Sequence, residues 1–220
     1  MPIPEYNEHG LLPPGIHSCT LSELKERFGR FSTSSQRQEL FAKLEQYVQE
    51  ARSAKIVSAL LVDGSFVTST EIPNDVDLVA VLAEDHDFTQ ELRPYQSNVL
   101  SNRWARRQFG FDLLVARTNS SEYTEYVAFF CASARLAGLK KGTVEGRSMI
   151  ADERQLEQAV EQMGRMCRAL AALNGEVLPK SRQQFALMAE GPLEEIRRLE
   201  EEISRYVTQT LESHAPQAAD

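Results

Sequence analysis

Leu60-Leu61-Val62-Asp63-Gly64-Ser65-Phe66-Val67-Thr68-Ser69-Thr70-Glu71-Ile72-Pro73-Asn74-Asp75-Val76-Asp77-Leu78-Val79-Ala80-Val81-Leu82 joins two apolar runs through a turn-rich segment. The first run, which begins at Ile56, is short, rich in aliphatic residues and ended by Asp63-Gly64, so it predicts a buried strand stopping at a turn. Gly64 has no Cβ to keep a ligand off the backbone. Ser65 offers a hydroxyl and an N–H where a short helix over Phe66 to Thr70 is expected to begin, which makes this turn a seat for phosphate. Along Asp75-Val76-Asp77-Leu78-Val79 the strand period of two puts both carboxylates on one face, with Val76 and Leu78 on the other. Two like charges in one small volume are costly without a cation. Hard oxygen ligands of this kind suit Mg²⁺ (or Mn²⁺) carrying substrate phosphates.

A third acid lies further along. Arg107-Gln108-Phe109-Gly110-Phe111-Asp112-Leu113-Leu114-Val115-Ala116 reads as another strand with Asp112 as the charged residue in its apolar centre. Beside Asp75 and Asp77 it would join the metal cluster or take the proton from an attacking hydroxyl. Singly, a Gly-Ser turn or an Asp-x-Asp is also what a loop cap looks like; the signal is their combination in strand context.

Gly64-Ser65, nine residues, Asp75-x-Asp77 and then a lone Asp112 on a later strand resemble the nucleotidyltransferase superfamily, which includes DNA polymerase beta, the aminoglycoside nucleotidyltransferases and the minimal nucleotidyltransferases of toxin–antitoxin loci. Leu12-Pro13-Pro14-Gly15-Ile16-His17, Thr20-x-x-Glu23-Leu24, Arg27-Phe28-Gly29, Gly64-Ser65-Phe66-Val67-Thr68 and Lys141-Gly142-Thr143-Val144 are similar to a bacterial family of uncharacterised nucleotidyltransferase-like proteins, over roughly the first two-thirds of the chain. The chain departs from the minimal enzymes after the Gly-Ser pair, with Thr68-Ser69 where those carry Arg-Gly. The resemblance implies transfer of a nucleoside monophosphate from a nucleoside triphosphate to a hydroxyl of a protein, a tRNA end or a small molecule, in a toxin–antitoxin or phage-defence setting. It implies Asp75, Asp77 and Asp112 as metal-binding and catalytic residues, and Gly64 and Ser65 as the seat of the β- and γ-phosphates.

Arg93, Arg103, Arg106 and Arg107 cluster just before the Asp112 strand, on or next to an expected helix from about Tyr95 to Gln108. Arg103 and Arg107, with Lys141, are candidate nucleotide contacts; the same arginines also suit a solvated helix face. The formal net charge of −8 disfavours non-specific binding to nucleic acid. His9, His17, His86 and His214 are scattered without a His-Glu-x-x-His pair, and Cys19, Cys131 and Cys167 form no Cys-x-x-Cys, so zinc and disulfide frameworks have no support. With neither a targeting segment nor an apolar run of membrane-spanning length, the expected location is the cytoplasm, with no membrane partner.

The expected fold class is α/β (α+β), a small mixed sheet with flanking helices plus a C-terminal helical hairpin. Thr20 and Glu23 predict a capping box opening a helix from Leu21 to Phe28, and Gln36 to Arg52 carries Leu40, Leu44, Tyr47 and Val48 on one stripe. Residues 1–150 are read as the nucleotidyltransferase-like domain with an extended N-terminal arm, closed by a loop or short strand over Lys140 to Gly146. Residues 151–220 are read as a helical appendage, loosely similar to antitoxin-like segments. Its helices are expected from Asp152 to Asn174, over Gln184 to Ala189, and beyond Gly191-Pro192. In the last, Ile196, Leu199, Ile203 and Tyr206 form a stripe, while Glu194 with Arg198 and Glu201 with Arg205 are i,i+4 pairs on the wet side. The stripe in 192–210 would meet the core, a second copy or a regulatory partner. The alternative to an enzyme is a catalytically inactive protein of the same fold, working as an interaction module through this tail.

Overall fold

The computed structural model describes residues 3–30, 35–137, 150 and 152–213. Its elements are α1 (Leu21–Leu24), α2 (Ser35–Ala54), β1 (Val57–Asp63), β2 (Asp77–Leu82), α3 (Pro94–Leu100), α4 (Asn102–Phe109), β3 (Asp112–Arg117), α5 (Ser121–Ala137), α6 (Glu153–Glu176) and α7 (Arg182–Ser213). The architecture is α+β. β2 is central, antiparallel to β1 and parallel to β3, and the order of the mixed sheet is β1-β2-β3.

Strand alternation divides the core. Val76, Leu78, Ala80, Leu82, Leu113 and Val115 pack with Leu40, Phe41, Leu44 and Tyr47 of α2 and with α3 and α4. Val79, Val81, Leu114 and Ala116 point the other way, onto Tyr126 and Phe129 of α5 and Met166 and Ala169 of α6. Near-continuous burial of β2 follows from helices on both faces. Among the described residues no helix is long and apolar enough to cross a membrane.

Several boundaries differ from the sequence expectation, each for a local reason. The single helix expected from Tyr95 to Gln108 is two, because Ser101 is extended (φ −91, ψ 118) and its Oγ accepts from Trp104 N to cap α4. Arg107 and Phe109 belong to α4, which ends at Gly110 in the left-handed conformation (φ +78), so β3 starts only at Asp112. β2 starts at Asp77, leaving Asp75 ahead of the strand. The turn after Gly64 is a 3₁₀ helix over Ser65–Val67, shorter than the expected run to Thr70. The capping box at Thr20 forms, but α1 has four residues and passes into a π-helical turn over Lys25–Gly29. α6 runs through Asn174-Gly175 to Glu176.

The tail packs within the chain. α7 is one helix with Pro192 inside it, not a short run and a second helix. It comes so close to β3 that a Cβ on Gly191 would stand 2.4 Å from Leu113 O and 2.7 Å from Leu114 Cδ2. Of the apolar stripe, Ile196 joins the α5–α6 side of the core, while Leu199, Ile203 and Tyr206 pack with Ala159, Leu156 and Met163 of α6 and with Ile150.

One charged side chain organises the segment that carries the Gly-Ser turn. Arg37 of α2 is fully buried and donates to the carbonyls of Phe28 (3.2 Å), Phe66 (2.7 Å), Thr68 (2.8 Å) and Thr70. Tyr6 adds its hydroxyl to Thr68 O at 2.9 Å. These bonds fix residues 66–70 in space where no sheet ladder reaches them. Arg37→Met keeps most of the volume but strands the carbonyls. It is expected to cost roughly 3 kcal/mol or more, because each buried unpaired carbonyl costs about 1–3 kcal/mol. A urea titration of the purified variant checks this.

Candidate functional site

The strand registers determine the geometry. Asp63 is the partner of Asp77 across β1 and β2, and Asp77 is the partner of Asp112 across β2 and β3. Three carboxylates therefore stand level at one end of the sheet, on the face that further along carries Leu61, Val79, Val81 and Leu114. In the sequence Asp63 marks only a turn; in the fold it ends β1 and belongs to the row.

Asp75 reaches the row through the Gly-Ser turn. Ser65 N donates to Asp75 Oδ1 at 2.9 Å and Ser65 Oγ donates to the same oxygen. Asn74 N and Asp75 N in turn donate to Ser65 Oγ, at 2.9 and 3.2 Å. The serine groups expected to seat phosphates are thus engaged with Asp75 in this state. Gly64 has φ +86, and a Cβ there would lie 3.1 Å from Asp77 N, 3.1 Å from Asp77 Oδ2 and 3.3 Å from Asp75 O. Only glycine combines this backbone with this proximity.

The electrostatic consequence falls on the central member. Burial, and then the charges of Asp75, Asp112, Asp63 and Glu195, hold the Asp77 carboxyl well above the usual carboxylate range. Burial pushes Asp63 up to about 7, against the Gly64 N–H that stabilises its anion and with further help from Asp75.

Arg106 and Arg198 bring positive charge. Arg106 Nε binds Asp112 Oδ1, and its Nη1 donates to Glu194 Oε1 of α7 at 2.8 Å. Arg198 is gripped by Glu195 through Nε (2.8 Å) and Nη2, and by Glu202 through Nη1 (3.1 Å). The i,i+4 pair expected between Glu194 and Arg198 is not the arrangement found: Glu194 turns to Arg106 and Arg197 instead. Arg106, Glu194, Glu195, Arg198 and Glu202, with Gly64, Ser65, Asp75, Asp77 and Asp112, line one cavity of about 1250 Å³ whose wall also includes the N-terminal arm around His17.

Of the predicted nucleotide contacts, Arg103 and Arg107 are exposed on α4 and do not line this cavity; Arg103 meets Glu190 at 3.8 Å. The α4 arginine that lines the cavity is Arg106. Lys141 and the 140–146 segment lie outside the described residues, as does His214.

A sequence model described as a family of unknown function (DUF6932) matches residues 4–146. The chain belongs to that family. No curated protein and no solved structure matches it. The matched stretch holds the whole aspartate row and the Gly-Ser turn. Glu194, Glu195 and Arg198 of α7 come from beyond it, so this DUF6932 chain closes its acidic cavity with residues outside the family match.

Among the described residues no three His, Cys, Asp or Glu side chains stand in a metal-holding arrangement. The donor set of Asp75, Asp77 and Asp112 nevertheless fits a hard divalent cation. It offers carboxylate oxygens, and Asp77 is buried among the charges of Asp75, Asp112 and Asp63, which a cation would offset.

Both raised carboxyls make the metal-free fold sensitive to pH. Between the unfolded value of 3.8 and the folded value of about 7, Asp63 binds more protons folded than unfolded, so stability falls as pH rises through that window. Asp77, shifted in the same direction, adds to the fall. Asp77→Asn is therefore expected to melt higher than the parent at pH 8 in chelator, with the advantage shrinking towards pH 4. Thermal melts across pH measure this, and an equal or lower melting point at pH 8 would contradict the crowding.

Proposed function

We propose that this protein is a metal-dependent nucleotidyltransferase, transferring a nucleoside monophosphate from a nucleoside triphosphate to a hydroxyl acceptor with release of pyrophosphate. One observation carries the reading: Gly64, at φ +86, sits so near Asp75 and Asp77 that a Cβ there would stand 3.1 Å from Asp77, and Asp77 stands beside Asp112 on the neighbouring strand. Phosphate-handling backbone and acidic side chains then share one cavity.

Asp75 and Asp77 are the residues that would hold Mg²⁺ or Mn²⁺, with Asp112 completing the set. The cation supplies charge neutralisation for the phosphates and for the leaving pyrophosphate. Gly64, in the cavity lining, would present its backbone to a phosphate without a side chain in the way. Ser65 seats it by exchanging its bonds to Asp75 for bonds to the nucleotide. Asp112, half-exposed at the cavity wall, would complete the metal site or accept the proton of the attacking hydroxyl. Burial of Leu199 against α6 favours this reading over an interaction module whose tail stripe waits for a partner.

Two outcomes test the proposal. Incubation with each labelled nucleoside triphosphate, Mg²⁺ and cell lysate is expected to label a discrete acceptor with the parent and to label none with Asp77→Asn; equal labelling by both would overturn it. Gly64→Val adds methyl groups at a contact already 3.1 Å from Asp77 and strains a φ that valine disfavours. Its affinity for triphosphate is expected to fall at least about tenfold, the loss of roughly one charge-assisted hydrogen bond. Fluorescence titration of the folded variant reads it.

A further inference from the structure

Two arginines stand at the acidic row, and their hydrogen bonding separates them. Arg198 spends Nε, Nη1 and Nη2 on Glu195 and Glu202, acids whose side chains are only 17% and 11% exposed, so it is a fixed strut of α7. Arg106 spends Nε on Asp112 and Nη1 on Glu194, while its Nη2 makes no bond among the described residues. Its side chain is 40% exposed towards the cavity.

Asp112 is thus neutralised by a guanidinium in the state observed, at the place where a divalent cation would compete for it. Both cannot hold the same oxygen. Displaced from Asp112, Arg106 still has Glu194 to keep it at the cavity wall, and a planar fork suited to phosphate oxygens.

We propose that Arg106 is the phosphate-binding cation of this site, occupying Asp112 while the site is empty and passing to the triphosphate, tethered by Glu194, when a divalent cation takes Asp112. This rests on the nucleotidyltransferase reading and adds to it a residue from α4 and a positioning residue, Glu194, from α7. No bond is made or broken in the exchange except ion pairs.

The test exploits a change of sign. Removing a residue that only binds phosphate weakens nucleotide binding, and removing one that is only structural weakens everything. Removing one that also competes for the metal ligand should tighten metal binding. Calorimetric titration of Arg106→Gln with Mn²⁺ alone is expected to show affinity at least about twofold tighter than the parent, the scale of a half-exposed ion pair. With Mg²⁺ and the four non-hydrolysable triphosphate analogues in turn, the same variant is expected to bind about tenfold more weakly. Glu194→Gln, which keeps the Asp112 contact, should weaken analogue binding and leave Mn²⁺ affinity unchanged. It also serves as the reporter should Arg106→Gln fail to give a native circular dichroism spectrum. A parent that binds Mn²⁺ and an analogue, with Arg106→Gln lowering or sparing both affinities, overturns this inference alone. If Arg106→Gln is misfolded, unchanged analogue binding in Glu194→Gln does the same. A parent that binds neither ligand overturns the nucleotidyltransferase reading and this inference with it.

Discussion

Three aspartates held level by strand register are the constraint around which the rest of the structure is arranged. Asp63, Asp77 and Asp112 are paired residue to residue across the sheet, so no side-chain rotation at the central strand can carry Asp77 away from both neighbours. Like charges so placed oppose folding, and the fold answers with counter-ions and proton uptake. Arg106 meets Asp112, Arg198 lies within the field of Asp77, and the two partly buried carboxyls hold protons more tightly than carboxylates in water. Such crowding at one sheet end, beside aliphatic residues buried everywhere else along β2, supports the proposal that the row takes a ligand of opposite charge.

Arg37 does the complementary work on the backbone. By filling the carbonyls of Phe28, Phe66, Thr68 and Thr70 it ties the π-helical turn after α1 to the 3₁₀ turn and the residues that follow it, and so makes a fixed scaffold for Gly64 and Ser65. A Cβ on that glycine would lie 3.1 Å from Asp77, and Ser65 binds Asp75. The site is assembled by a buried arginine on one side of the turn and a strand register on the other.

Much of this was legible in the sequence because it is local. The apolar runs around Gly64 and Asp77, the capping box at Thr20 and the stripe Leu40-Leu44-Tyr47 all follow from spacing, and so does the mixed α+β character. What could not be read depends on contacts between distant residues. Arg37 looks like any polar position of an amphipathic helix until the loop over residues 66–70 is folded onto it. Asp63 gains its meaning only from its register with Asp77. Glu194 looks like the partner of Arg198 four residues on, yet Gly191 lets α7 approach β3 so closely that Glu194 reaches Arg106 instead. The Gly-Pro pair that signals a helix start in isolation is, here, the point where a continuous helix touches the sheet.

The central claim is that the aspartate row is a cation and phosphate site. Diffraction from crystals grown with Mn²⁺ and a non-hydrolysable nucleoside triphosphate, recorded at the manganese edge, tests it most directly. The account predicts an anomalous peak bounded by Asp75, Asp77 and Asp112, with phosphate density against Gly64 and Ser65 and with Arg106 turned from Asp112 to the phosphates. A well-ordered structure with the Arg106–Asp112 ion pair intact, and no anomalous peak at the row under saturating Mn²⁺ and nucleotide, would contradict it.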